Sequence, residues 1–483
     1  MNVLLITADT LRADHLGCYG YARPTSPNLD ALATEGLRFD TFIGQCAHTL
    51  PSFTSMMTGR TPFQTGVVAT LHCVPDTPSG RLSDRTPVLA EMLAKGGVHT
   101  AAVDNLMNFA CHPSWFARGF AEYINPNPES FVAHLTADRV NELLLPLLAR
   151  VPQPFFIWAH YWDPHQPYNQ PDEFLAPFDD ADAPIATTPD GRRYIPRWGT
   201  LDGLDAGSWA GGQMPHRSGQ RVVGARQMID AYDGEIRYLD ARLGDVFDKL
   251  QALALYDDTT ILFTADHGET LADHLTHFCH VEALDACTRL PLLVKPAKSL
   301  GIDPGTIAAP TTHTDLAPTI LDLCGVAADA REGGARFARS GQTGTGVPPA
   351  DAEMEGHSLR PLLEHTGEWP RRHVVSTGMY LLDEGLWKSI EVSARTERWR
   401  LVHRTPLHNY PREGLEYSRL WEVIAGLYES EPPFQLFDTA NDPDELTDVA
   451  ADHPDVVAHL TEALRPATDS PFFYREADSA SQQ

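Results

Sequence analysis

Hydrophobic and polar positions alternate in blocks along the first three-quarters of this chain, and two of the blocks have the same design. Residues 4–8 form a mainly apolar run that ends at Asp9, and residues 261–265 form a similar run that ends at Asp266 and His267. Such continuous runs are typical of strands buried in a parallel sheet. Because ligands bind beyond the carboxyl ends of such strands, both runs are predicted to deliver their polar residues to one edge.

Two carboxylates and an imidazole at one sheet edge are a suitable ligand set for a divalent cation. Carboxylates are hard ligands, and an imidazole widens the choice of metal towards Zn²⁺ or Mn²⁺. The sequence therefore predicts that Asp9, Asp266 and His267 hold an ion. Each segment alone also allows a plainer interpretation, in which Asp9 caps a following helix and His267 is an ordinary loop histidine.

A third segment, residues 48–60, places a threonine at the predicted start of a helix. Thr49 precedes Pro51, which suits a first helical turn, and the helix is predicted to end near Gly59. The N–H groups and dipole of a helix N-terminus stabilise negative charge, such as an ionised hydroxyl or a bound anionic ester. In the alternative interpretation, Thr49 or Ser52 is only the N-cap of this helix.

The remaining pattern indicates an α/β fold with a mostly parallel central sheet flanked by helices, followed by a small α+β subdomain. We predict a catalytic domain over residues 1–365 and a C-terminal subdomain with a small antiparallel sheet over residues 366–483. Residues 169–219 are predicted to be a long insertion over the site. Other predicted elements are strands at 155–160, 374–376, 389–392 and 399–402, helices at 232–253 and 455–464, and a loop at 327–355.

Charge and composition restrict the partners and the location. The formal net charge of −28 argues against nucleic acid and anionic membranes, because both would repel the chain. No segment reaches the roughly 20 apolar residues that cross a bilayer, and no secretory signal is recognisable. The seven cysteines lack paired spacing, which suits a reducing compartment. We expect a cytoplasmic protein with a small anionic ester substrate, and a homo-oligomer remains open.

Taken together, the segments resemble the sulfatase-like branch of the alkaline phosphatase superfamily. Each segment alone is a weak signal, but so many in the family's order do not arise by chance. The matching segments are residues 9–15, 17–20, 49–52, 58–60, 118–120, 160–165, 167–168, 266–269, 289–292, 315–319, 356–359, 436–438 and 442–445.

The resemblance implies roles for particular residues. Asp9, Asp266 and His267 would hold one divalent metal ion, with Ca²⁺, Mg²⁺, Mn²⁺ and Zn²⁺ left open. Thr49 would be both the nucleophile and a further metal ligand. The resemblance also implies that His165 and His280 surround the ester, one binding its oxygens and the other near the leaving group.

The chain departs from the sulfatase pattern at the nucleophile. Sulfatases have a cysteine or serine at the Thr49 position and convert it to formylglycine, an aldehyde that threonine cannot give. The arginine expected two residues after the proline is Phe53, and a lysine-containing segment is replaced around Asp104 and Asn105. Cys111 begins a segment that imitates the modification motif, but it lacks the following arginine, so we interpret it as a decoy.

The spacing of further acids and histidines favours one metal ion. Two-metal branches of the superfamily add an aspartate and a histidine one helical turn apart, and no Asp-x-x-x-His occurs between residues 202 and 258. His313 is either a late ligand or a loop or core histidine. Asp273, His274 and His277 could coordinate a second ion, but the start of a surface helix explains them equally well.

We predict a metal-dependent hydrolase of phosphoric or phosphonic esters, a phosphodiesterase or phosphonate monoester hydrolase with a covalent Thr49 intermediate. The resemblance associates an unmodified threonine with phosphodiesterases, nucleotide pyrophosphatases and phosphoryl-group transferases. The alternatives are a sulfuric ester hydrolase, a phosphoryl-group transferase and a non-catalytic binding protein. Arg12 and Arg60 are candidate anion-binding residues, although Arg60 also suits a partner of a helix dipole.

Overall fold

A computed structural model describes most of the chain, and its strands account for the apolar runs. The described residues are 1–68, 81–108, 113–127, 135–166, 168, 170–178, 225–271, 280, 282–327, 353–378, 380–383, 386–405 and 432–474. The strands are β1 (Asn2–Ala8), β2 (Leu37–Phe39), β3 (Phe42–Ile43), β4 (His99–Val103), β5 (Glu122–Ile124), β6 (Phe155–Tyr161), β7 (Thr259–Ala265), β8 (Arg289–Leu290), β9 (Leu292–Lys295), β10 (Gly305–Ile307), β11 (Thr311–Thr312), β12 (Val374–Thr377), β13 (Tyr380–Asp383), β14 (Leu386–Ser389), β15 (Glu391–Arg395), β16 (Trp399–Arg404) and β17 (Phe434–Asp438).

Helices connect and flank these strands. The α-helices are α1 (Pro27–Thr34), α2 (Thr49–Thr58), α3 (Pro62–Thr65), α4 (Leu89–Lys95), α5 (Ala137–Leu148), α6 (Asp172–Leu175), α7 (Ala225–Ala252), α8 (Asp285–Thr288), α9 (Leu316–Leu323), α10 (Arg360–Leu363) and α11 (Pro454–Thr468). Short 3₁₀ helices lie at Ala13–His15, Gly17–Tyr19, Leu106–Asn108, Ser114–Phe116, Lys298–Leu300 and His313–Asp315.

The central sheet has eight strands in the order β10-β2-β9-β7-β1-β6-β4-β5. The five strands from β7 to β5 run parallel, whereas β9 is antiparallel to both β7 and β2. Every residue of β1, β6 and β7 is buried, as expected for strands covered on both faces. The predicted mostly parallel α/β sheet is confirmed.

The register of the three innermost strands brings their polar ends to one edge. Ala8 at the end of β1 lies opposite both Tyr161 of β6 and Ala265 of β7. The next residues continue this alignment, because the Asp9 N–H donates to the Tyr161 carbonyl at 2.9 Å and the Asp266 N–H faces the Ala8 carbonyl at 3.4 Å. Asp9 and Asp266 therefore leave the sheet side by side.

Helix α7 confirms the predicted helical segment and is longer than expected at its start. It packs against α1, α5 and α6 on the outside of the sheet.

Of the insertion predicted at residues 169–219, residues 170–178 with α6 are described, and the rest lies outside the described residues. The predicted loop at 327–355 is described only at residues 327 and 353–355.

A four-stranded antiparallel sheet in the order β12-β15-β16-β17 confirms the predicted C-terminal sheet. Val392 and Ala394, two residues apart on β15, face the same apolar cluster as Leu460 and Leu464 of α11. The sheet contacts the N-terminal region directly, because the Ala47 N–H donates to the Thr377 carbonyl at 3.1 Å. The domain boundary at residue 365 stays a prediction. No helix in the described part of the chain is long and apolar enough to cross a membrane.

Candidate active site

Three predicted ligands meet at the carboxyl edge of the central sheet. One ligand atom from each of Asp9, Asp266 and His267 lies within 4.8 Å of the other two. All three side chains are fully buried. The parallel register of β1 and β7 produces this arrangement, since each strand ends immediately before its acidic residue.

The Asp9 carboxylate is a buried acid without a compensating partner. Among the described residues, neither of its oxygens has a hydrogen-bond partner, although the side chain is inaccessible to solvent. Burial raises the pKa of Asp9 well above its ordinary value, and the nearby carboxylates of Asp266 and Glu269 raise it further. A buried charge without a partner is costly, and binding a metal ion is one of the usual ways to compensate it.

Asp266 is held by the backbone on one side and open on the other. Its Oδ1 accepts the N–H groups of Thr10 at 3.2 Å and of His267 at 2.7 Å, whereas its Oδ2 has no hydrogen-bond partner in the part of the chain that the structure describes. Burial raises the pKa of Asp266 to about 7. Thr10 adopts a φ of 56°, a left-handed conformation that costs a β-branched residue about 1–3 kcal/mol. Such strain is common at functional sites.

Thr49 is the first residue of α2, and the helix ends at Thr58 with Gly59 as its C-cap, close to the predicted end. The Thr49 Oγ1 lies 3.1 Å from Nε2 of His267. Since Nδ1 of His267 is 2.9 Å from the Gly268 carbonyl oxygen, which can only accept, Nδ1 carries the ring proton. The Thr49 hydroxyl therefore donates to the lone pair on Nε2, which is also the atom available to a metal ion.

The two histidines predicted to surround the ester lie beside this group. The ring centroid of His280 is 4.3 Å from that of His267 and 5.8 Å from that of His165. Nδ1 of His280 donates to the Ala47 carbonyl at 3.2 Å, and Nδ1 of His165 donates to the Gln166 carbonyl at 2.6 Å. In the neutral His280 ring, Nε2 is therefore a proton acceptor. Burial lowers the pKa of His280 to about 3.

Three further residues border the site without having been singled out from the sequence. His48 precedes Thr49 and packs edge to face against His280, with ring centroids 5.7 Å apart. His160 lies on β6 with its Nε2 4.0 Å from Oδ2 of Asp9. Glu269 is buried, and burial raises its pKa to about 7. The sequence could have indicated His160 by its place near the carboxyl end of the buried strand β6, next to which Asp9 follows the carboxyl end of β1.

His313 is a core residue rather than a late metal ligand. Its Nδ1 accepts the Gln45 N–H at 3.2 Å, and its Nε2 donates to the Ala265 carbonyl at 3.0 Å. Both ring nitrogens are therefore committed to backbone groups. Asp273, His274, His277 and Cys111 lie outside the described residues.

The candidate anion-binding arginines have other partners. Two nitrogens of Arg12 contact the Asp14 carboxylate at 2.9 and 2.6 Å, and a third donates to the Glu269 carbonyl. Arg60 donates to the Thr58 carbonyl at 2.8 Å, at the C-terminus of α2. Arg60 therefore lies where its charge interacts favourably with the dipole of α2. The guanidinium charge of Arg12 is already paired with the Asp14 carboxylate.

Comparison with known proteins agrees with this architecture. The family model described as Sulfatase matches residues 1–326. The chain belongs to the sulfatase family. Iduronate 2-sulfatase from Mus musculus is 28% identical over 338 residues, which cover 61% of this chain and 59% of that protein. The match thus spans less than two thirds of this sulfatase relative.

Solved structures extend the similarity over nearly the whole sulfatase-family chain. The phosphonate monoester hydrolase of Agrobacterium radiobacter superposes with a TM-score of 0.69 at 20% identity, covering 97% of this chain and 95% of that one. A structure in complex with its substrate D-glucosamine-2-N,6-O-disulfate gives a TM-score of 0.68 at 18% identity, covering 100% and 99%. These likenesses show the fold.

The residue that replaces the expected sulfatase arginine is part of the core. Phe53 on α2 is fully buried and packs its ring against His160 at 4.7 Å and Trp158 at 5.4 Å between centroids. Asp104 and Asn105 follow β4 at the same edge of the sheet, and both are buried. Neither Phe53 nor the Asp104-Asn105 pair supplies the arginine or lysine side chain that the sulfatase pattern has at these positions.

Proposed function

We propose that this chain is a metal-dependent hydrolase of phosphoric or phosphonic esters that uses Thr49 as its nucleophile. The observation that carries the proposal is the contact between Thr49 and His267, beside two carboxylates that lack cationic partners. Asp9, Asp266 and His267 fit a divalent ion, because their donor atoms converge and no group of the described residues donates a hydrogen bond to Asp9. Thr49 would complete the ligand set.

Thr49 is placed to attack an anionic ester. It lies at the N-terminus of α2, where unpaired N–H groups and the helix dipole favour negative charge at the hydroxyl and on the ester. A divalent ion bound by the carboxylates would lower the pKa of the hydroxyl and neutralise the ester oxygens. Thr49 Oγ1 then forms a bond to phosphorus while the bond to the leaving alcohol breaks.

A neighbouring histidine, His280, can carry the proton that the Thr49 hydroxyl loses. Nε2 of His280 carries a lone pair because its Nδ1 proton is held by the Ala47 carbonyl, so Nε2 can accept the Thr49 proton and return it to the leaving alkoxide. Nδ1 of His165 is likewise held by a carbonyl, that of Gln166, and its ring centroid lies 5.8 Å from that of His280. Water then cleaves the phosphoryl-threonine, with the same histidine accepting a proton from water.

The unmodified hydroxyl is the reason to favour phosphorus over sulfur. The formylglycine mechanism of sulfatases lets the intermediate collapse without attack at sulfur, and Thr49 cannot form that aldehyde. Water can attack phosphorus in a phosphoryl-threonine. The phosphonate monoester hydrolase among the solved structures is consistent with a small phosphoric or phosphonic ester as substrate, and the sulfatase relatives keep a sulfate ester as the alternative.

A panel of matched esters tests this proposal. Purified protein with Mn²⁺ or Zn²⁺ would be assayed on 4-nitrophenyl esters: a phosphate monoester, a phosphodiester, a phenylphosphonate and a sulfate. We expect kcat/KM for the diester or phosphonate to exceed that for the sulfate by at least about 10²-fold. A sulfate turned over faster than every phosphorus ester would contradict the assignment.

The nucleophile is tested by two substitutions at one position. Thr49→Ala should abolish turnover with the fold intact, because it removes one methyl and one hydroxyl from a large core. Thr49→Ser keeps the hydroxyl and should retain measurable activity, while Thr366→Ala, at an exposed position, serves as the control. Full activity in Thr49→Ala would mean that water attacks the ester directly.

A further inference from the structure

The hydroxyl of Tyr232, on α7, bridges two backbone groups next to the candidate metal site. It donates a hydrogen bond to the Thr10 carbonyl at 2.7 Å and accepts the Arg12 N–H at 2.9 Å. Thr10 directly follows Asp9, so the bridged turn carries one of the proposed metal ligands. We propose that Tyr232 is a positioning residue, which holds the turn at residues 9–12 in the conformation that presents Asp9 to a divalent ion.

The turn at residues 9–12 requires such a restraint because its backbone is strained. Thr10 has a φ of 56°, in the left-handed region that a β-branched residue disfavours. A conformation of this kind persists only where several surrounding contacts fix it. The Thr10 N–H donates to Oδ1 of Asp266 at 3.2 Å, and Tyr232 fixes the Thr10 carbonyl. Loss of the Tyr232 hydroxyl would therefore let the turn relax away from Asp266 as well.

The Tyr232 hydroxyl suits this role because it is buried and can both donate and accept. The side chains of Tyr232 and Thr10 are inaccessible to solvent, and Arg12 is also buried. A phenolic hydroxyl donates one proton and accepts at its oxygen, which matches one carbonyl and one N–H. Backbone groups that are buried without a partner are costly. Tyr232→Phe would remove the partner of both groups at once.

Packing fixes the Tyr232 ring and connects it to both segments that carry proposed ligands. His15 and Tyr168 pack edge to face against this ring, with centroid distances of 5.1 and 5.8 Å. The Tyr168 hydroxyl donates to the Glu269 carboxylate at 2.7 Å, and Nη1 of Arg12 donates to the Glu269 carbonyl at 3.1 Å. Tyr232 thus links α7 to the segment after β1 and, through its neighbours, to the segment after β7.

The inference rests on the proposed metal site and predicts a measurable loss of affinity. The Tyr232 hydroxyl is bonded to two backbone groups, so it would act on the geometry of the ligands and would not be a ligand itself. Groups that orient metal ligands typically contribute about 10- to 100-fold to metal affinity. An ion at saturating concentration would restore the turn, so the loss should appear in the dissociation constant rather than in kcat.

The same helix offers a matched control for Tyr232→Phe. The hydroxyl of Tyr238 donates to Oδ2 of Asp138 at 2.7 Å and accepts the Asp138 N–H at 3.1 Å. Tyr238 is also buried, but Asp138 lies on α5 and not at the proposed metal site. Tyr238→Phe therefore removes the same kind of hydroxyl and the same number of hydrogen bonds without altering the turn at residues 9–12.

The test is calorimetric titration of the chelator-treated full-length protein with Mn²⁺ and, separately, Zn²⁺. We expect a dissociation constant about 10- to 100-fold larger than the wild-type value in Tyr232→Phe, and the wild-type value in Tyr238→Phe. In the ester assay at saturating metal, kcat of Tyr232→Phe should equal that of the wild type. Circular dichroism checks that each variant is folded.

Hydrogen exchange of the metal-free wild type is a second measurement that needs no variant. We expect the Arg12 amide to exchange as slowly as the amides of β1, because its N–H is bonded to Tyr232 before any ion binds. Exchange at the rate of an unprotected loop amide would contradict a turn that is held in advance. This measurement decides the question if Tyr232→Phe does not fold.

Two affinity results would overturn the positioning role: a wild-type dissociation constant in Tyr232→Phe, or equal losses of affinity in Tyr232→Phe and Tyr238→Phe. A kcat that stays low in Tyr232→Phe at saturating metal would also overturn it, because the hydroxyl would then act in the reaction itself. Failure of the wild type to bind either metal would instead refute the proposed function.

Discussion

Asp266 at the edge of the central sheet and Asp285 beneath the C-terminal sheet are both buried carboxylates, but they have different neighbours. Asp285 receives the guanidinium groups of Arg395, at 3.1 Å, and of Arg400, and the Nε of Arg400 also contacts Glu445 at 2.8 Å. Asp266 has two backbone donors, and neutral histidines lie near both Asp266 and Asp9, with no arginine or lysine contact on either carboxylate among the described residues.

The titration of the two acids reflects this difference. Burial raises the pKa of Asp266 to about 7. At Asp285 burial acts in the same direction, but the charges of Arg395 and Arg400 outweigh it and hold the pKa well below its ordinary value. The C-terminal cluster contains its own cations, whereas the proposed metal site at the sheet edge would take its cation from solution. The comparison thus separates a structural ion network from a candidate binding site.

The largest expected effect follows from removing a ligand at the sheet edge. Asp266→Ala should abolish both metal binding and ester hydrolysis, because the remaining donors cannot hold the ion against water. Bound metal would be measured by elemental analysis and turnover by the ester assay. Asp303→Ala, at an exposed position, is the matched control. Metal content and activity equal to wild type in Asp266→Ala would remove the distinction between the two clusters.

Removing a charge from the arginine network should affect stability instead. Asp285→Asn leaves Arg395 and Arg400 short of a negative partner in a buried position, which should lower the free energy of unfolding by about 3–5 kcal/mol in urea denaturation. Since the folded-state pKa is depressed, this contribution is present above the unfolded pKa of about 3.9 and is lost as pH falls below it. A stability difference that persisted unchanged at pH 3 would contradict this assignment.

Replacing either of the histidines proposed to act in catalysis should give an intermediate effect on activity. His280→Ala or His165→Ala should each lower kcat by roughly 10²-fold, the usual loss when a proton acceptor or donor is removed. Metal content should stay at the wild-type level, because neither ring belongs to the converging ligand group. His459→Ala, an exposed substitution on α11, serves as the control. A loss of bound metal in either variant would assign that histidine to the ligand set.

The smallest effect is also the sharpest contrast between the clusters. Asp266→Asn keeps an oxygen for the Thr10 and His267 N–H groups while removing a buried charge, so chelator-treated protein should gain about 1 kcal/mol at pH 8. The sign follows from the raised pKa: above about 7 the folded state is penalised for holding the charged form. Asp285→Asn changes stability in the opposite direction. A loss of stability in Asp266→Asn would mean that its charge is already compensated.

The sequence revealed the sheet-edge cluster because local pattern and topology agree there. An apolar run that ends in an acid predicts a buried parallel strand, and two such strands must end at the same edge, as Asp9 and Asp266 do. The arginine network was not predicted, since Asp285 and Arg400 are 115 positions apart and no local periodicity relates them. His160 was missed because a histidine within a strand has no distinctive spacing. His313 could not be decided until its two backbone partners were visible.

The central claim is that the carboxylates at the edge of the central sheet are arranged for a divalent cation that serves Thr49. A crystal grown with Mn²⁺ and measured for anomalous scattering tests it most directly. The account predicts one anomalous peak, with atoms of Asp9, Thr49, Asp266 and His267 about 2.0–2.6 Å from it. No peak at this edge, or a peak coordinated by other residues, would contradict it.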